Sequence, residues 1–310
     1  MMTSKEAGKR RQEVLVRAIL LSLAALMALG MAMGCDADRT EAVRLYNQAL
    51  IDFEGGATGS AMEQLEEALE VDPTFYQAAY ILGQLQQQQF RNPEAAVDNY
   101  RRALDQEPDN AVFNYRLASA LAESGENEDA LDYFEEAIEL KPEDARYWFE
   151  KGMSLEAIGE FTKAVDAYTE AIELQPRLRM AKDDAGGEHY HSLGDLYYRF
   201  RLYNEAFQVF ENGAENNRAN PRLKHGMGLA AVGLQRHGDA ISAFEAVLEQ
   251  DPDHLAANFS IANAYRENDD IDGAIEQLKS LVEDGGTALE PAQEAAAERL
   301  LNDLRADRDE

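Results

Sequence analysis

The chain has 310 residues, 29 Lys and Arg against 59 Asp and Glu, and a formal net charge of −30. So acidic a body repels phosphate backbones and anionic headgroups, which argues against nucleic acid and favours basic or neutral partners. Ala, Leu, Glu and Gln dominate and only eight prolines occur, a composition that favours helix.

In chain order, the N-terminal segment comes first. Residues 1–17 are polar and basic, with Lys5, Lys9, Arg10, Arg11 and Arg17 against Glu6 and Glu13, and Ala18 to Gly34 is apolar apart from Ser22. A basic head followed by an apolar stretch and small residues describes a secretory signal. Cys35 follows at once and is the only cysteine in the chain, so no intramolecular disulfide is available. The segment Ala32-Met33-Gly34-Cys35 resembles the lipidation box of bacterial lipoproteins, although that family usually has Leu where Ala32 stands. The resemblance implies that residues 1–34 are removed, that Cys35 carries lipid, and that residues 35–41 form a tether. It also implies a bacterial cell envelope, with Asp36 placed like the inner-membrane retention signal of some lipoproteins. The alternative is an uncleaved signal anchor, for which an apolar run of this length is at the short end. Both readings leave the basic residues in the cytoplasm and the body outside it, in the periplasm.

From residue 42 onward the sequence repeats. The clearest unit carries Trp148, Gly152 and Leu155, then Ala164, Tyr168 and Ala171, then Pro176. Before it come Leu117, Ala118, Leu121, Ala130, Phe134, Ala137 and Pro142, and before those Leu82, Gly83, Ala96, Tyr100, Ala103 and Pro108, with one extra residue in the turn. A first, degenerate unit has Ala49, Gly55-Gly56, Ala61, Leu65, Ala68 and Pro73. Downstream lie Tyr190, Leu193, Gly194, Tyr197, Ala206, Phe210 and Gly213, with Arg218 in place of proline. Met227, Gly228, Ala240, Phe244 and Pro252 follow, then Ile261, Ala262, Tyr265, Ala274 and Leu278, with Gly286 at the end. This pattern resembles the tetratricopeptide repeat. The resemblance implies an all-α solenoid, a right-handed superhelix of about seven helix-turn-helix units over residues 42–286.

Small residues let neighbouring helices approach, large ones fill the space between, and proline stops the second helix of each unit. Two features break the regularity. Arg179 to Gly186 are additional residues that either lengthen a helix or form a bent connection, and Gly186-Gly187 favours the second. Pro291 suits a first helical position, and Ala297, Leu300, Leu301 and Leu304 then share one face. Residues 287–310 therefore read as a capping helix with an acidic tail, covering a core that the last repeat would otherwise expose.

Repeats and cap leave no room for a catalytic domain, and neither a phosphate loop nor a nucleophile elbow is present. His189 and His191 form an H-x-H pair, but residues two apart on a helix point in different directions, so no metal or other cofactor is expected. Paired acids such as Glu66-Glu67 and Glu135-Glu136 suit solvated faces. The function read from this is a non-catalytic interaction scaffold at the cell envelope that assembles or stabilises a membrane complex. The alternatives are a module that captures peptide or polysaccharide, or an accessory subunit of an envelope enzyme; nothing in the sequence supports a homo-oligomer.

In the family resembled, partners lie along a concave groove lined by the first helix of each unit. One residue beyond the Trp148 position, the repeats place Tyr80, Tyr115, Phe149, His191, His225 and Phe259. Four further on are Gln84, Ser119, Met153, Asp195, Leu229 and Asn263, expected on the same face. Such a ladder suits an extended peptide, because rings offer large contact area; the rings can equally pack between units. The Lys and Asn clamp that some relatives use for a terminal carboxylate is missing.

Overall fold

A computed structural model describes residues 37–174, 185–217, 220–283 and 289–309. Cys35, Asp36, Pro176, Arg218 and Gly286 lie outside the described residues, as does the whole apolar segment before Cys35. Among the described residues there are fifteen α-helices and no strand, and no helix long and apolar enough to cross a membrane.

The helices form two compact units, up to Lys141 and from Pro142. The first unit holds three antiparallel pairs: α1 (Ala37–Glu54) with α2 (Thr58–Val71), α3 (Tyr76–Gln88) with α4 (Pro93–Gln106), and α5 (Ala111–Glu123) with α6 (Asn127–Leu140). The second holds four: α7 (Ala145–Ala157) with α8 (Phe161–Leu174), α9 (Ala185–Arg199) with α10 (Tyr203–Asn216), α11 (Pro221–Gly233) with α12 (His237–Leu248), and α13 (Leu255–Glu267) with α14 (Ile271–Glu283). A last helix, α15 (Pro291–Asp309), packs on α14. Odd-numbered helices up to α13 are the first members of their pairs, called helix A below.

Every pair turns through one residue in the left-handed region. Gly56, Gly125 and Gly159 fill that place in three turns, and Arg91, Arg201, Gln235 and Asp269 in the other four. Four starts of helix A are fixed by side-chain caps. Asn110 accepts from the Val112 and Phe113 amides, Asp144 from Arg146, Asn220 from Arg222, and His254, through Nδ1, from Ala257. Each cap satisfies amides that have no partner inside the helix.

The repeat pattern is a pattern of burial. Ala61, Ala96, Ala130, Ala164, Ala206, Ala240 and Ala274 are all fully buried on the second helices. Tyr100, Phe134, Tyr168, Phe210 and Phe244, one helical turn along, are buried beside them. Their rings press on the glycines of helix A: a Cβ added to Gly83 would lie 2.8 Å from Tyr100, and one added to Gly152 would lie 2.7 Å from Tyr168. Burying each such ring stabilises the array by about 1.5–3 kcal/mol.

The position of Trp148 has a second role. Its Nε1 donates to the Pro142 carbonyl at 3.0 Å, and at the equivalent places Asn114 and Asn258 donate to the Pro108 and Pro252 carbonyls, each at 3.0 Å. Proline therefore ends one repeat and its carbonyl ties down the next.

One boundary differs from the sequence reading. Helix α1 begins at Ala37 rather than near residue 42, because Arg39 reaches across to pair with Asp72 at 2.5 Å and stacks on Phe75. Gly186 and Gly187 lie inside the first turn of α9, and the connection before them, residues 175–184, lies outside the described residues. At the following repeat, Asn220 and Pro221 begin α11, with the proline at its first turn. On α15, Ala297, Leu301 and Leu304 are buried in one cluster with Ile275 and Leu278 of α14.

Candidate functional site

Each ring of the ladder lies next to the large side chain of its own repeat. Centroid separations are 6.0 Å for Tyr80–Tyr100, 6.3 Å for Tyr115–Phe134, 5.6 Å for Phe149–Tyr168, 6.1 Å for His191–Phe210 and 5.4 Å for His225–Phe244. Phe259 packs on the terminal cluster that contains Leu278. The ladder is thus the outer layer of the core, and burial decides which members a partner can reach.

In the first unit most are spent on packing. Tyr115, Gln84 and Ser119 are buried. Gln84 donates to the Tyr80 hydroxyl at 3.1 Å, and Ser119 accepts from Gln87 at 3.4 Å. Gln87 also donates to Glu123 and accepts from the Tyr100 hydroxyl, both at 2.9 Å, a buried network with each partner satisfied. Arg116 stands over the Tyr115 ring, 5.4 Å from its centroid, and its buried Nε has no hydrogen-bond partner.

In the second unit the face is more open. Met153 is 51 % exposed, and Phe149, Leu229, Phe259 and Asn263 are partly exposed. Asn263 donates to the Phe259 carbonyl at 3.0 Å. Phe149 also stacks on His189 at 4.2 Å. His189 is buried, and burial alone pushes its pKa down to about 4. The two members of the H-x-H pair diverge: His189 enters the core, whereas His191 faces a pocket. Among the described residues no three His, Cys, Asp or Glu are placed to hold a metal ion.

That pocket, of about 180 Å³, is lined by four of the ladder residues, His191, Asp195, His225 and Leu229, and by Tyr198, Phe210, Arg222, Gly226 and His254. Helix α9 supplies His191, Asp195 and Tyr198, α11 supplies Arg222 to Leu229, and His254 enters as the cap of α13. His225 and His254 lie 5.5 Å apart, and Ser260 Oγ is 3.4 Å from His225 Nε2. Desolvation lowers the pKa of His191 and of His225, and the neighbouring His254 lowers His225 further. Arg199 binds Asp195 at 3.3 Å and also pairs with Glu156. Arg222 and His254 escaped the sequence reading because they stand outside the helix-A stripe. The available signal was that two of the five histidines, His191 and His225, stand at equivalent places one repeat apart.

Residues 46–111, 87–143, 115–178 and 225–288 match the family model of the tetratricopeptide repeat, well over half of the chain. Among solved structures, the C-terminal part of a TPR repeat-containing protein from Cytophaga hutchinsonii superposes with a TM-score of 0.65 at 15% identity, over 83% of this chain and 99% of that one. A tetratricopeptide repeat protein from Parabacteroides merdae gives 0.56 at 17% identity, over 86% and 99%. YrrB, described as a TPR protein with an unusual peptide-binding site, gives 0.52 at 19% identity, over 66% and 99%. At these identities the likeness is one of fold. No curated protein matches the chain in sequence. Repeat spacing, helix pairing and family match agree: this chain belongs to the tetratricopeptide repeat family.

Proposed function

We propose that the chain is a non-catalytic interaction scaffold, tethered at a bacterial cell envelope through Cys35, that holds a partner protein along its helix-A face. The observation that carries the binding surface is the open stretch in the second unit. There Met153 is exposed beside Phe149, and Leu229 and Phe259 remain partly exposed on α11 and α13. Apolar side chains left accessible on a protein this strongly charged favour a contact surface. The peptide-binding site named for YrrB fits the same use of the fold. Support for the tether is the basic and apolar leader followed at once by the single cysteine. A single acyl chain binds membranes only marginally, so a firm tether requires more than one on Cys35.

A photo-reactive residue at Met153, in membranes from cells expressing the full chain, should give a defined cross-linked product. The same residue at Glu170, exposed on α8, should not. Product from Glu170 alone would move the surface to the second helices. Mass spectrometry of the purified chain should show loss of Met1 to Gly34 plus acyl mass, and an intact Met1-bearing chain would remove the lipid tether.

A further inference from the structure

The overall charge of the chain is −30, yet the pocket on α9 and α11 gathers Arg222 and three of the five histidines. Its carboxylate, Asp195, is held by Arg199. Arg222 has no ion pair among the described residues, and Asp195 is the one acid among the described residues that line the pocket. His254 accepts the Ala257 amide at Nδ1, which places the proton of its neutral ring on Nε2, as a donor. The volume, about 180 Å³, suits one side chain.

We propose that this pocket binds a carboxylate on a side chain of an extended partner segment, with Arg222 as the ion pair and the histidine N–H groups as donors. This rests on the helix-A face being the partner surface. Arg presents a fork of donors matched to a carboxylate, and such charge-assisted bonds are stronger than neutral ones. The groups facing His225 are His191, Asp195 and Tyr198 from α9, Arg222 from its own helix, and His254 from the start of α13; α10 contributes the uncharged Phe210. Glu188 acts on His191 from the same helix. Desolvation keeps His191 and His225 biased toward the neutral form. An entering anion reverses that bias, so binding takes up a proton and tightens as pH falls through the range of these histidines, until the ligand's own carboxylate is protonated. The surrounding negative field repels acidic segments as a whole. The pocket thus selects an isolated Glu or Asp within a neutral or basic stretch.

The test is nuclear magnetic resonance on the full chain with labelled histidine, which has only five such residues. The probes are three short peptides at millimolar concentration: acetyl-Gly-Glu-Gly-amide, its Gln counterpart, and acetyl-Gly-Gly-Gly with a free C-terminus. The Glu peptide should raise the titration midpoint of His225 by about one pH unit, as a nearby opposite charge does, and perturb His254, whereas the Gln peptide should do neither. Arg222→Gln, at an exposed position, should abolish the shift with circular dichroism unchanged, and His225→Asn should assign the signal. Equal response to Glu and Gln, or none to Glu, or a shift that survives Arg222→Gln, would overturn the proposal. A shift with the free C-terminus alone would overturn the side-chain source. Cross-linking from Met153 is independent of all these outcomes, so failure of the pocket is distinguishable from failure of the binding face.

Discussion

Substituting Gly226→Ala tests the packing that shapes the pocket. In a helix interior alanine is favoured over glycine by about 0.8–1 kcal/mol, so in open space the change would stabilise α11. Here a Cβ would lie 2.5 Å from the Phe210 Cε1 and 2.6 Å from its Cζ. The ring cannot tilt away, because the backbone of Gly194 stands on the same ring, where an added Cβ would be 2.6 Å from Cε1. Overpacking of this kind costs about 1–3 kcal/mol, which exceeds the helical gain. The expected net is a loss of about 1 kcal/mol, reaching about 2 if the ring is rigidly held. Gly238, in the first turn of α12 with nothing within 4 Å of an added Cβ, is the control, and Gly238→Ala should be neutral or stabilising. Urea denaturation of the two variants, compared at equal m-value, reads the difference. Adding Phe210→Leu should recover part of the loss in Gly226→Ala, as a coupling between contacting residues. If Gly226→Ala is as stable as Gly238→Ala, the wedge between two glycines is not what spaces α9 from α11.

Three further outcomes are expected. Phe134→Ala removes a fully buried ring and should cost about 3–5 kcal/mol in denaturant unfolding. His189 has a folded pKa of about 4 against about 6.5 unfolded, so the unfolded state binds the extra proton between those values. Its contribution is complete above pH 6.5 and is lost as pH falls through 4, by at most about 3 kcal/mol; His189→Gln should flatten the stability profile in that window. Deleting Pro291 to Glu310 uncovers Ile275 and Leu278 and should raise dye binding and aggregation in light scattering.

The repeat was legible because its signal is local and periodic. Alanine at Ala96, Ala130 and Ala164, followed four residues later by a ring, encodes both the helix and the buried face. Boundaries were less legible where long-range contacts set them, as when Arg39 draws α1 back to Ala37 by pairing with Asp72. The helix-A face was half legible. Period fixes which residues share a stripe, but accessibility depends on the neighbouring helices. The same place holds a buried Tyr115 in α5 and partly exposed Phe149 in α7. A substitution at Tyr115 would therefore disturb its packing on Phe134 and report stability rather than partner contact. The pocket required three dimensions, since His254 joins it from a helix cap.

The turns also make the array energetically uneven. A left-handed backbone costs an ordinary L-residue about 1–2 kcal/mol, and glycine escapes that steric charge. Three of the four turns before Arg201 have glycine at that place, whereas Arg201, Gln235 and Asp269 occupy the last three. In an array whose stability is a sum of unit and neighbour terms, strain at one turn stays in its own pair and the next. The C-terminal pairs are therefore where the stack opens most readily. Amide exchange should proceed faster across α13 and α14 than across α7 and α8. Glycine at Asp269 would slow it, making the looseness of that end adjustable one turn at a time without touching the residues that face a partner.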